Sequence, residues 1–131
     1  MIVDASAIIA ILRGENDGPD LARALEQAPI RRISAATYVE AAVVTDSNRD
    51  PVLSRRFDDL LRDSEIIIEP VTQEQAEIAR EAYRDFCKGR HRAGFNFGDC
   101  FAYALAKATG EPLLFKGDDF CHTDIEPAEA S

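Results

Sequence analysis

Short apolar runs, too brief to be helices, alternate with longer stretches of helical periodicity along the whole chain. Ile2-Val3-Asp4, Arg32-Ile33-Ser34, Ile66-Ile67-Ile68 and Pro112-Leu113-Leu114-Phe115 read as strands. Between them, residues 6–13 read as a helix with Ser6 as its candidate N-cap, and residues 20–28 as a second. Residues 35–48 carry Tyr38, Val39, Ala42 and Val43 at helical spacing, which predicts that these four share the buried face. Pro51 opens a further helix, Thr72-x-x-Gln75 matches a capping box, and Gly110 closes a helix over residues 97–109. No repeat or linker interrupts the pattern. Such alternation predicts an α/β fold, a three-layer α/β/α domain with a mostly parallel central sheet. The 131 residues fit one domain, 1–131, with a tail expected to fray from about Glu126.

Composition narrows the function. Lys and Arg total 15 against 24 Asp and Glu, a formal net charge of −9, which argues against whole-surface attraction to nucleic acid or anionic lipid. The opening residues have no secretory-leader pattern, and no window approaches the ~20 apolar residues of a membrane span. Cys87, Cys100 and Cys121 are irregularly spaced without a C-x-x-C pair, which disfavours structural zinc and disulfide scaffolds. The expectation is a cytoplasmic protein with reduced thiols and no membrane association.

Most of the acids belong to solvated helix faces, but a few do not. Asp4 ends the first strand, Glu40 interrupts the apolar stretch from Tyr38 to Val44, and Asp99 interrupts the one from Phe97 to Ala104. Asp118 and Asp119 lie just past the last strand. Each has an ordinary explanation: a helix cap, a first-turn acid, a side chain turned to water, or a plain turn. Together they suggest convergence, because ligands bind beyond the carboxyl ends of the strands in a parallel sheet. Converging carboxylates repel one another unless a cation lies between them. An all-oxygen set selects a hard ion, Mg²⁺ or Mn²⁺.

The segments around these acids carry a resemblance. They are Ile2-Val3-Asp4-Ala5-Ser6-Ala7, Ser34-x-x-Thr37-x-x-Glu40, Asn96-Phe97-Gly98-Asp99-Cys100-Phe101-Ala102-Tyr103-Ala104, and Leu113-Leu114-Phe115-Lys116-Gly117-Asp118-Asp119-Phe120. In order and spacing, across essentially the whole chain, they resemble the PIN-domain ribonucleases, specifically the VapC-type toxins of toxin–antitoxin pairs. The resemblance implies a Mg²⁺-dependent endoribonuclease with Asp4, Glu40 and Asp99 as core catalytic acids and Asp4 and Asp99 as metal ligands. Relatives often place a fourth acid where this chain has Gly117, so either Asp118 or Asp119 must serve here. Ser6 matches a family hydroxyl that holds the first carboxylate or a metal-bound water. The family also implies a homodimer and inhibition by a VapB-type antitoxin, for which a groove between residues 6–13 and the helices of residues 35–64 is the expected seat.

RNA must still approach an acidic pocket. Lys88, Arg90 and Arg92 form a basic, glycine-punctuated loop before the Asp99 helix and are the expected phosphate contacts. Three other readings compete. A haloacid-dehalogenase-type phosphatase would use the first Asp and a Gly-Asp-Asp motif, but has no use for Glu40 or Asp99. A response-regulator receiver lacks its paired acids and its mid-sheet Asp here. A catalytically silent PIN-type binding domain is separated only by assay.

Overall fold

A computed structural model describes residues 1–87, 89, 91 and 93–129. Lys88, Arg90 and Arg92, the expected phosphate contacts, lie outside the described residues. In chain order the elements are β1 (Ile2–Val3), α1 (Ala5–Leu12), α2 (Gly18–Gln27), β2 (Arg31–Ser34), α3 (Ala35–Asp46), α4 (Pro51–Asp63), β3 (Ile66–Glu69), α5 (Gln73–Phe86), α6 (Phe97–Thr109) and β4 (Leu113–Leu114). The strands form one four-stranded sheet in the order β3-β2-β1-β4, with every pairing parallel. The α/β expectation therefore holds.

Alternation along two-residue strands separates the layers. Val3, Leu114 and Ile33 pack with α1, α2 and the Phe57 and Leu61 side of α4. Ile2 and Leu113 point the other way, into a cluster with Ala102, Leu105 and Phe95 from α6 and the chain before it. Ile2, Val3, Leu113 and Leu114 are essentially fully buried. Each such side chain is worth about 1.5–3 kcal/mol relative to exposure. A register slip of one residue in β1 would exchange its two faces, so Asp4 is held at the strand end by packing on both sides.

Three sequence expectations change. Asp4, not Ser6, is the N-cap of α1. The buried face of α3 is Thr37, Ala41 and Thr45, while Val39 and Val43 are 56% and 60% exposed. The apolar count of the α3 segment misleads because its three valines all turn outward, while Tyr38 and Ala42 pack only partly buried against the core. Thr72 caps α5 by accepting from the Gln75 amide, but the Gln75 side-chain oxygen has no partner, so only half the box forms. From Glu126 to Ala128 the chain stays on the sheet. The Leu113 amide donates to Glu126 O at 2.9 Å and the Ala128 amide to Leu113 O at 2.8 Å, which ties this stretch to the outer edge of β4.

Candidate active site at the end of the sheet

Asp4 sits where β1 becomes α1. Its amide still donates to Leu114 O at 2.9 Å, in the manner of a strand residue. Its Oδ2 accepts from the Ser6 amide at 3.1 Å and from Ser6 Oγ at 2.6 Å. Ser6 Oγ in turn accepts from the Lys116 amide at 2.9 Å. That second bond fixes the hydroxyl's orientation: its proton goes to Asp4, so Ser6 holds the carboxylate. Asp4 Oδ1 is left buried with no hydrogen-bond partner. Burial pushes the Asp4 carboxyl above the usual range; the Ser6 and Ala5 bonds oppose this, and the charge of Asp119 adds to it.

Asp99 lies in the first turn of α6 and closes a capping box. Its amide donates to Asn96 Oδ1 and its own Oδ2 accepts from the Asn96 amide, both at 3.0 Å. One oxygen is thus committed to the helix end, and the box fixes where the other points. Burial is the main cause of a carboxyl pKa pushed up to about 7; the Asn96 amide opposes it, and the charges of Asp4 and Asp119 and a hydrogen bond to Asp119 add to it.

Glu40 reaches the same place from α3. It is half-buried, and burial, then the Asp4 charge, raises its pKa. Its carboxylate lies against the backbone of Gly98: a Cβ built there would stand 1.7 Å from Glu40 Oε2 and 2.8 Å from Oε1. Only glycine leaves room for this carboxylate over the first turn of α6. The sequence reading passed over Gly98, although a glycine in a helix's first turn, beside an acid, was the available signal.

Of the two acids in the β4 loop, it is Asp119 whose charge acts on both Asp4 and Asp99. Both Asp118 and Asp119 are exposed. Cys100, next to Asp99, is a buried core residue whose Sγ bonds Asn96 O, and burial pushes its thiol up to about 11, far from a nucleophile at neutral pH.

Among the described residues, no cation balances these acids. Among the described residues, Asp4, Glu40, Asp99 and Asp119 form no salt bridge. Lys116, whose backbone touches the site, has its ammonium held by Glu15 at 2.7 Å and Asp17 at 3.3 Å. Among the described residues, no three acidic, His or Cys side chains are grouped so that they could hold an ion. Mg²⁺ does not require that: it keeps several waters and takes one or two carboxylates directly. The all-oxygen donors and the orphaned, buried Asp4 Oδ1 fit such an ion, with Asp4 and Asp99 as the residues that would hold it.

Comparison with known proteins gives the family and the fold. A family model described as "PIN domain" matches residues 1–126. A VapC ribonuclease of Mycobacterium bovis, Mb0625, is 57% identical over 129 residues, covering 98% of this chain and 97% of its own. Ribonuclease VapC42 of Mycobacterium tuberculosis is 51% identical over 129 residues, covering 98% of both. Among solved structures, the sarcin–ricin loop cleaving toxin VapC20 of M. tuberculosis superposes with a TM-score of 0.76 at 17% identity, covering 98% of each chain. A toxin–antitoxin complex from Klebsiella pneumoniae gives a TM-score of 0.69 at 20% identity, covering 94% of this chain and 92% of that one. At those identities the two structures speak to the fold alone.

Proposed function

Since the chain belongs to the PIN-domain family, and within it to the VapC-type toxins, we propose that it is a Mg²⁺-dependent endoribonuclease acting as the toxin of a toxin–antitoxin pair. The observation that carries this reading is the group of acids around the orphaned Asp4 Oδ1, which have no cation partner among the described residues. A divalent ion held by Asp4 and Asp99 would supply Lewis acidity toward the phosphodiester and its leaving oxygen.

The chain's own residues supply the rest. Ser6, locked by the Lys116 amide, keeps Asp4 Oδ2 occupied and presents Oδ1. The Asn96–Asp99 box does the same for Asp99. Water attacks phosphorus, the bond to the leaving ribose oxygen breaks, and the proton lost by the water needs an acceptor. Glu40 suits that role: it is half-buried, its pKa is raised, and Gly98 seats it beside Asp4. Asp119 is the fourth acid in this reading. Lys88, Arg90 and Arg92, which precede α6 in sequence, remain candidate phosphate contacts.

Two protein partners complete the proposal. A VapB-type antitoxin would lie along α1, α3 and α4, where Leu53 and Leu60 stand half-buried at the core's edge. A second copy of the chain would cover the outer face of α3, where Val39, Val43 and Val44 stand exposed. Among the described residues, no helix is long and apolar enough to cross a membrane. The test is RNA cleavage by antitoxin-free protein in Mg²⁺, Mn²⁺ or EDTA, beside Asp99→Asn. The expected result is metal-dependent cleavage that falls at least ~100-fold in the folded variant. Cleavage that survives both EDTA and the substitution would refute it.

A further inference from the structure

The segment Ser34-x-x-Thr37-x-x-Glu40 gives the site only its carboxylate, and the hydroxyl of Ser34 is unaccounted for. Ser34 ends β2 and stands at the N-cap of α3. A serine in that position ordinarily accepts from an amide of the first helical turn. Ser34 does not: its side chain makes no cap hydrogen bond. It is fully buried, and its Oγ has no hydrogen-bond partner among the described residues. A buried hydroxyl without a partner destabilises a fold, and the apolar replacement is free of that cost. The strand register shows where this hydroxyl lies. Ile2 pairs with Arg32 in parallel, so two residues on Ser34 comes level with Asp4. Val3 and Ile33 share one cluster, so the residues that follow them, Asp4 and Ser34, turn to the opposite face. That is the face of Ile2, covered by α6, which carries Asp99. Neighbouring strands are about 4.8 Å apart. Two buried oxygens without partners, Asp4 Oδ1 and Ser34 Oγ, thus belong to adjacent strand ends on one face of the sheet.

We propose that Ser34 is a positioning residue for the divalent ion, its Oγ accepting a hydrogen bond from a water that the ion retains beside Asp4 Oδ1. This rests on the metal-dependent reading of the site and adds a residue that reading leaves out. Mg²⁺ gives up water reluctantly and is held directly by one or two carboxylates, so the rest of its shell must be gripped through water. Water polarised by a dication is a strong donor and needs acceptors. A neutral hydroxyl supplies one without adding charge to a group of acids that already repel one another. The two serines then serve the two oxygens of Asp4: Ser6 donates to Oδ2, and Ser34 receives the water at Oδ1. Ser34 also does this from a strand end, where packing fixes its place.

The experiment measures Mn²⁺ affinity by electron paramagnetic resonance and Tm in EDTA for the unaltered chain, Ser34→Ala, Ser34→Cys and Thr45→Val. Ser34→Cys keeps the side-chain volume but offers only a weak acceptor. Thr45 is the internal control: it is buried, its Oγ1 is likewise unbonded, and it stands at the other end of α3. Both Ser34 variants are expected to bind Mn²⁺ about 10- to 100-fold more weakly, as the loss of a group behind the direct ligands does. Their metal-free Tm is expected to stay level or rise, because an unbonded hydroxyl has been removed. Thr45→Val is expected to leave Mn²⁺ affinity unchanged. Unaltered Mn²⁺ affinity in Ser34→Ala, with binding in the unaltered chain lost in Asp4→Asn, would overturn the role of Ser34 and leave the metal reading standing. No Mn²⁺ binding by the unaltered chain would overturn both. Affinity lost in Ser34→Ala but kept in Ser34→Cys would assign the effect to packing and overturn the proposal. So would a lower metal-free Tm in Ser34→Ala, which would show the hydroxyl bonded within the fold, or an equal loss of affinity in Thr45→Val.

Discussion

The molecule treats two groups of carboxylates in opposite ways. Around the start of β1, Glu111 accepts from the Met1 ammonium at 2.6 Å and lies 3.4 Å from Arg32, which also reaches Glu69 at 2.9 Å. Every acid there has a cation. At the end of the same strand, three residues on, Asp4 meets Asp99, Asp119 and Glu40 with no cation among the described residues. The first group is structural electrostatics already neutralised by the fold. The second is left unpaired among the described residues, and burial raises the carboxyls of Asp4, Glu40 and Asp99. The fold pairs its acids at one end of the strand and leaves them unpaired, among the described residues, at the other, as the proposed cation site requires.

The sharpest way to break this contrast is at Gly98. In Gly98→Ala the new Cβ meets only the flexible end of Glu40, so the protein should fold while that carboxylate is pushed out. We expect cleavage to fall by about 100-fold, the usual consequence of misplacing a reacting group by an ångström. Combining it with Glu40→Gln should cost little more than either change alone, and a fully additive pair would contradict the seating role. Next is Ser6→Ala, which frees Asp4 Oδ2 and removes the partner of the Lys116 amide. Its expected cost is ~10- to 100-fold in metal affinity or rate, read from Mg²⁺ titrations of activity.

The pH dependence follows from Asp99, whose carboxyl is raised from 3.8 to about 7 by burial first, with the neighbouring charges adding. A raised carboxyl favours the fold while protonated. Its contribution is complete below about pH 4 and is lost as pH rises through 7. Metal-free protein should therefore lose thermal stability across that window, and Mg²⁺ should raise Tm more at pH 8 than at pH 5. An equal Mg²⁺ shift at both pH values would show that the ion binds elsewhere. The smallest effect belongs to the paired group: Glu111→Gln should cost about 0.2–1 kcal/mol by denaturant unfolding and leave RNA cleavage unchanged.

Much of this was visible in the residues. Asp4, Glu40 and Asp99 stand out because each breaks an apolar stretch, and the strand–helix alternation places strand ends on one edge. Other features were hidden for physical reasons. Asp118 and Asp119 are adjacent in an exposed turn, and only the path of the chain decides which one faces Asp4. Asp4 is the N-cap as well as a candidate site acid, so the helix signal at Ser6 pointed two residues late. The outward valines of α3 have the same hydropathy as core valines, and composition cannot tell a buried face from a surface awaiting a partner. Gly98 matters for the side chain it lacks, which no count of functional groups records.

The most direct test of the central claim is an electron paramagnetic resonance titration of Mn²⁺ into metal-free protein, comparing the unaltered chain with folded Asp4→Asn. The account predicts Mn²⁺ binding that Mg²⁺ displaces and that Asp4→Asn abolishes. Equal binding in both proteins, or none above bulk solution in either, would contradict it.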